Sequence, residues 1–137
     1  MARVYGERRE LPAELIRLLE ASPAAAEYTP PMDVIETDAG IEVVVDLPGV
    51  PAAAVEIVFS RNVLLVAGHK LAGVCEDRGA AFHMAERSFG RFARAIDVEG
   101  AYDAGRATAT LANGELRIVL PQVTERRGGE IRIPIQR

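Results

Sequence analysis

Period-two alternation dominates the middle of the chain. Ile41, Val43, Val45 and Leu47 alternate with Glu42, Val44 and Asp46, and because successive strand side chains point to opposite faces, the spacing predicts a strand with one buried face. The Asp38-Ala39-Gly40 turn separates it from an earlier strand over residues 33–36. Two further strands, 55–59 and 63–66, are joined by the polar pair Arg61-Asn62, and the second ends at Gly68; both read as half or wholly buried. Residues 69–81 break the pattern with two glycines and mixed charges, predicting a long loop with a short edge strand over 72–75. Pairing is expected to resume over 82–85 and 91–98, with a bend at Ser88-Phe89-Gly90. Segments 106–111 and 115–120 then form a hairpin on Asn113-Gly114, the preferred chemistry for a two-residue turn. Short strands with turn signals and no helix between them indicate an antiparallel sandwich instead of an α/β sheet.

The two ends read differently. Leu11, Leu15, Leu18 and Leu19 lie at helical spacing, with Pro12 suited to a first turn, so residues 10–20 are expected to form a short amphipathic helix. Residues 21–31 hold three prolines and read as an extended linker. The expected organisation is an arm and linker over 1–31, a folded domain over 32–121 and an extension over 122–137. The arm's leucine stripe fits a piece of core, and equally an arm that packs among other arms or meets a partner's apolar segments. At the other end, a polar tether with Gly128-Gly129 leads to Ile131, Ile133 and Ile135. In extended chain these isoleucines share one face, with Arg132 and Pro134 on the other. Pro134 lacks an N–H, which disfavours a central strand and suits an edge segment pressed into a groove. An ordinary last strand of the same sandwich is one reading; the glycine leash and Pro134 favour docking on another subunit.

Composition narrows the class. The 137 residues fit one domain with short extensions, and a hydrophobic fraction of 49% with 5% aromatics and no Trp leaves Val, Ile and Leu to build the core. Twenty acids against sixteen bases give a net charge of −4, and the bases are spread singly, which argues against nucleic acid as a main partner. No stretch reaches the roughly 20 apolar residues of a membrane span, and the start of the chain lacks a signal-peptide apolar region, so the cytoplasm is the expected location. The single Cys75 excludes an intrachain disulfide and suits a reducing compartment.

Candidate chemistry is thin. His69, His83 and Cys75 lack metal-ligand spacing, and Lys70, the one lysine, sits in no phosphate-binding loop. Cys75 has only Arg78 near it in sequence to activate a thiolate. No catalytic residue, metal site or cofactor is assigned.

Several of these segments together resemble the small heat shock protein family, in its bacterial and plant form. Pro31-Met-Asp-Val-Ile-Glu-Thr37, the segment Ile41 to Gly49 with its Pro-Gly exit, Val63-Leu-Leu-Val-Ala-Gly68 and Glu86-Arg-Ser-Phe-Gly90 with Phe92 resemble successive family segments. Most specific is Ala109-x-x-x-Asn113-Gly-x-Leu116, similar to the family signature, followed by an I-x-I motif that occurs twice in overlap over residues 131–135. The resemblance implies an α-crystallin domain, an all-β, immunoglobulin-like antiparallel β-sandwich with a short N-terminal helical arm and a flexible C-terminal tail. It implies an ATP-independent holdase, without enzymatic activity, that assembles as a dimer-based homo-oligomer, binds unfolding client proteins and hands them to ATP-dependent refolding chaperones.

Residue by residue, it implies that a loop with Leu71, Val74, Cys75 and Glu76 swaps onto a partner as an edge strand. It also implies that, of the tail residues Ile131, Ile133 and Ile135, either Ile133 and Ile135 or Ile131 and Ile133 insert into a neighbour's groove lined by Ile57, Phe59, Ala107, Ala109 and Leu111. Leu11, Leu15, Leu18 and Leu19 would contact clients or other arms, although family arms are typically rich in Phe and this one has Tyr5 and Tyr28 as its aromatics. A non-chaperone adapter or co-chaperone on the same sandwich is the alternative.

Overall fold

Two hairpin turns fix most of the register. Asn113 and Gly114 take φ of 54° and 77°, the left-handed pair that lets two strands continue with their natural twist. Arg61 and Asn62 do the same at 48° and 67°, without a glycine. In a computed structural model of the chain, which describes residues 2–3, 27–73, 76–123 and 131–136, these turns join β4 (Val55–Ser60) to β5 (Val63–Lys70) and β7 (Thr108–Ala112) to β8 (Glu115–Pro121). The Thr37 hydroxyl closes the turn between β2 (Met32–Thr37) and β3 (Gly40–Asp46), accepting from the Gly40 N–H and donating to its carbonyl, both at 3.2 Å.

The remaining strands are β1 (Ala2–Arg3), β6 (Gly90–Val98), β9 (Ile131–Arg132) and β10 (Ile135–Gln136). They complete two five-stranded sheets, β1-β6-β5-β4-β9 and β10-β7-β8-β3-β2. The inner faces meet in one core. Ile41, Val43 and Val45 of β3 and Leu116, Ile118 and Leu120 of β8 face Ile57, Phe59, Leu64, Val66, Phe92 and Ile96 of the first sheet. Each such side chain contributes about 1.5–3 kcal/mol on burial, which is how a chain poor in aromatics holds a sandwich together. Every pairing is antiparallel except β10 with β7, which is parallel.

The sandwich expected from the sequence is therefore the observed fold, and four local expectations are corrected. Residues 82–85 form no strand; Phe82 and Met84 have the right composition for one, but among the described residues no strand pairs with them. No strand occurs over 72–73, the described part of the strand expected over 72–75. The strand expected from Arg106 starts at Thr108, because residues Ala104–Arg106 turn as a 3-10 helix capped by Asp103, whose Oδ1 accepts from the Gly105 N–H at 3.0 Å. β5 continues past Gly68 to Lys70, paired with Arg91 and Gly90.

Order also begins before Met32 and continues past Pro121. The N–H groups of Glu27 and Tyr28 both donate to the Arg91 carbonyl, at 2.9 and 3.1 Å, and the Val123 N–H donates to Ala101 at 3.0 Å. The expected helix over 10–20, with Leu11, Leu15, Leu18 and Leu19, lies outside the described residues, as do Val74, Cys75 and the tether over 124–130.

Candidate functional site

The last described residues cross from one sheet to the other. Ile131 pairs with Phe59 and Arg132 with Val58 at the edge of β4. Ile135 and Gln136 then pair with Ala109 and Thr110 at the edge of β7. Pro134 stands between the two pairings and has no N–H to extend either ladder. Between them the Ile133 N–H donates to the Ile57 carbonyl at 3.1 Å, and the Ile133 side chain is only 4% exposed, packed within the core cluster. Outside the groove, Arg132 reaches Glu56 at 3.4 Å.

The residues expected to line a tail groove lie in or against the core cluster that takes in Ile133. Ile57, Phe59 and Ala109 are buried, and Ala107 and Leu111 are half-buried against the same cluster. Ala109 stands opposite Ile135 in the pairing of the tail with β7. Val55, Ala52 and Ala53 extend the lining at one end, a contribution that sequence reasoning missed. The isoleucines share a face as expected, Ile131 and Ile135 half-buried around the buried Ile133. In the single chain described, the tail lies along the edges of its own β4 and β7.

A second feature lies at the open end of the sandwich. Leu71, Phe82, Met84 and Phe89 are 71%, 83%, 72% and 54% exposed and line a shared depression with Lys70 and Arg87. Large apolar side chains gathered in one loop are what a monomer surface ordinarily avoids. Leu71 and Glu76, the described members of the expected swap loop, are both exposed. β2 ends the second sheet, and among the described residues no strand pairs with its outer edge.

The linker is clasped to this same end. Tyr28 meets Phe92 edge to face, with ring centroids 6.0 Å apart, and the Lys70 ammonium lies 5.1 Å from the Tyr28 ring centre. Burial raises the Tyr28 phenol above its ordinary range, helped by nearby Asp46. Arg91 bonds Glu27 at 3.0 Å, and its side-chain and backbone hydrogen bonds hold the Glu27 carboxyl below the usual range. Arg94 donates to the Pro30 carbonyl at 2.9 Å. Gly90 makes room for the crossing: at φ +120°, a Cβ there would stand 2.7 Å from Glu27 Cβ. On the far sheet Arg117 is paired with Glu42 and Glu115, and the Glu42 bond raises its pKa further.

His69 and His83 are exposed, and among the described residues no three His, Cys, Asp or Glu side chains gather where they could hold a metal ion. No helix among them is long and apolar enough to cross a membrane. Among the described residues the geometry offers apolar grooves and edges.

Residues 33–136 match the Hsp20/alpha crystallin family. The chain belongs to that family. Among similar proteins are Small heat shock protein C2 of Rickettsia felis, 29% identical over 76% of this chain and 67% of that protein, and the 21.9 kDa heat shock protein of Oryza sativa subsp. japonica, 37% identical over 72% of this chain and 52% of that one. The chain thus spans between about half and two-thirds of these relatives. Among solved structures, heat shock protein 16.0 from Schizosaccharomyces pombe is 31% identical with a TM-score of 0.68, covering 75% of this chain and 94% of that one. A small heat shock protein from Xylella fastidiosa, described as having a distinct high order structure, is 27% identical with a TM-score of 0.63 over 76% of this chain and 97% of its own. The sandwich is an α-crystallin domain, and family membership supports a chaperone role.

Proposed function

We propose that this α-crystallin protein is an ATP-independent holdase: it binds the apolar surface of unfolding proteins and keeps them from one another. The observation that carries the reading is the seating of Ile133. One buried isoleucine, two flanking ones and two-residue pairings at either side hold the tail in an apolar groove, at the end of a glycine-bearing tether. So few contacts make a seat that can exchange its occupant, for a neighbour's tail or for an apolar segment of a client. Burial of apolar surface drives each exchange, and no nucleotide enters the cycle.

Assembly follows from the same surfaces. The loop with Leu71, Phe82, Met84 and Phe89 adds to the free edge of β2 on a second copy, giving a dimer. Val74, Cys75 and Glu76 belong to that exchanged segment. Tails seated in neighbouring grooves then join dimers into a larger homo-oligomer in the cytoplasm, from which clients pass to ATP-dependent refolding chaperones. Heating an aggregation-prone protein with the chain at equal subunit concentration tests the reading: suppressed scattering without nucleotide supports it. Unchanged scattering from a folded chain would instead favour an adapter that binds one folded partner.

A further inference from the structure

The track that takes the tail does not stop at Ile135. Toward its C-terminus the tail runs antiparallel to β4, from Ile131 beside Phe59 to the Ile133 bond with the Ile57 carbonyl. It then runs parallel to β7, with Ile135 beside Ala109 and Gln136 beside Thr110. Both walls continue in that direction. On one side the chain leads back from Val55, at the start of β4, through Ala52 to Pro51, Val50 and Leu47, and on the other β7 goes on to Leu111 and Ala112. These continuations bound a depression of about 510 Å³ lined by Leu47, Val50, Pro51, Ala52, Leu111 and Ala112 beside the Asn113-Gly114 turn. It shares Ala52 with the depression along the tail, and none of its lining residues is charged. Its walls are held by main-chain bonds: the Leu47 N–H donates to the Gly114 carbonyl at 2.7 Å, and the Val50 N–H to the Leu47 carbonyl at 3.2 Å. Among the described residues no strand pairs with the outer edge of β7 at Leu111 and Ala112.

We infer that this depression is a further subsite of the tail seat, and that it selects an extended segment of an unfolding protein with an apolar side chain two residues beyond the place of Ile135. The choice of occupant rests on the exchangeable seat proposed above. A strand continued on the observed register sets that residue opposite Leu111, roughly 7 Å past Ile135. It faces the same way as Ile135, because side chains alternate along a strand. A leucine or phenylalanine there covers Leu47, Val50 and Leu111, while the edge of β7 at Leu111 and Ala112 offers main-chain hydrogen bonds that lengthen the ladder by strand addition. In this chain's own sequence the residue two beyond Ile135 is Arg137, and a guanidinium gains no partner from an uncharged lining and loses water on entering it. The tail therefore supplies Ile131, Ile133 and Ile135 but no fourth apolar side chain, and an alternating apolar segment of a client supplies one. That difference gives the exchange its direction, from the chain's own tail to a longer apolar strand.

Fluorescence anisotropy tests it, with the full chain and labelled peptides of residues 129–137 amidated at the C-terminus. The Arg137→Leu peptide is expected to bind about tenfold more tightly than the peptide of unaltered sequence, the gain from burying most of one apolar side chain. A Gln136→Leu peptide, which adds the same leucine on the other face, should show no such gain. Ala112→Glu in the chain should cancel the Arg137→Leu advantage. Equal affinity of the Arg137→Leu and unaltered peptides overturns the subsite, and so does an equal gain from Gln136→Leu or a gain that persists in the Ala112→Glu chain. Binding of neither peptide instead overturns the exchangeable seat, and with it the client as occupant. The subsite is then decided within the chain itself: Arg137→Leu should slow hydrogen exchange over 131–136 several-fold, and an unchanged rate overturns it.

Discussion

The Ile133 N–H donates to the carbonyl of Ile57 at 3.1 Å, and this bond sits midway between two strand pairings made to different sheets. The tail thereby closes the gap between β4 and β7 with an isoleucine in the core. Truncating Ile133 to Ala removes at least about 2 kcal/mol of apolar contact, enough to loosen the seat roughly 30-fold. Hydrogen exchange at residues 131–136 should accelerate accordingly, and the mass of the assembly by light scattering should fall. Unchanged exchange and mass would show that the isoleucine does not hold the tail.

The linker clasp has a pH dependence with a definite sign. Arg91 holds the Glu27 carboxyl below its ordinary range, so the link helps the folded state above the unfolded pKa of about 4.3 and is lost as pH falls through the lower folded value. Glu27 is exposed, so the effect is local. The Tyr28 amide resonance should move with an apparent pKa below the ordinary carboxylate value, and Glu27→Gln should abolish that step. A transition near the ordinary carboxylate value would contradict the pairing.

Gly90 should resist replacement for two reasons that act together, its φ of +120° and the 2.7 Å approach of Glu27 to any added Cβ. Gly90→Ala is expected to lower stability by about 1–3 kcal/mol, read by urea unfolding with an unchanged slope. The linker amides of Glu27 and Tyr28 should lose protection in the same variant. A neutral substitution would mean that the crossing is not fixed there.

Phe82 and Met84 are the most exposed large apolar side chains described, so replacing both by Ser costs the isolated sandwich little. If the loop joins subunits, the double variant should raise the dimer dissociation constant at least about tenfold, on the order of 1.4 kcal/mol, in sedimentation experiments. An unchanged constant would remove this loop from the interface.

The hairpins were legible because alternation and turn chemistry agree: Ile41, Val43 and Val45 could face only one way, and Asn113-Gly114 allows one kind of turn. The tail drew notice through the family resemblance, which named its isoleucines with Ile57, Phe59, Ala107, Ala109 and Leu111; in the structure Ile131 pairs with Phe59 and Ile135 with Ala109. Phe82 to Ala85 misled because β propensity reports a surface that suits a sheet, not whether an edge is present. The Tyr28 clasp was invisible for a different reason. Glu27 and Arg91 are 64 positions apart, and nothing local in Glu27-Tyr28 announces a partner that β6 alone brings near. The parallel seat of Ile135 on β7 likewise depends on where Pro134 interrupts the first pairing.

The central claim is that apolar surface exchange, without nucleotide, protects unfolding proteins. Its most direct test is light scattering from a heat-aggregating protein, with and without this chain at equal subunit concentration and no ATP. The account predicts suppressed scattering, weakened when the clients outnumber the subunits. Full aggregation in the presence of a soluble, folded chain would contradict it.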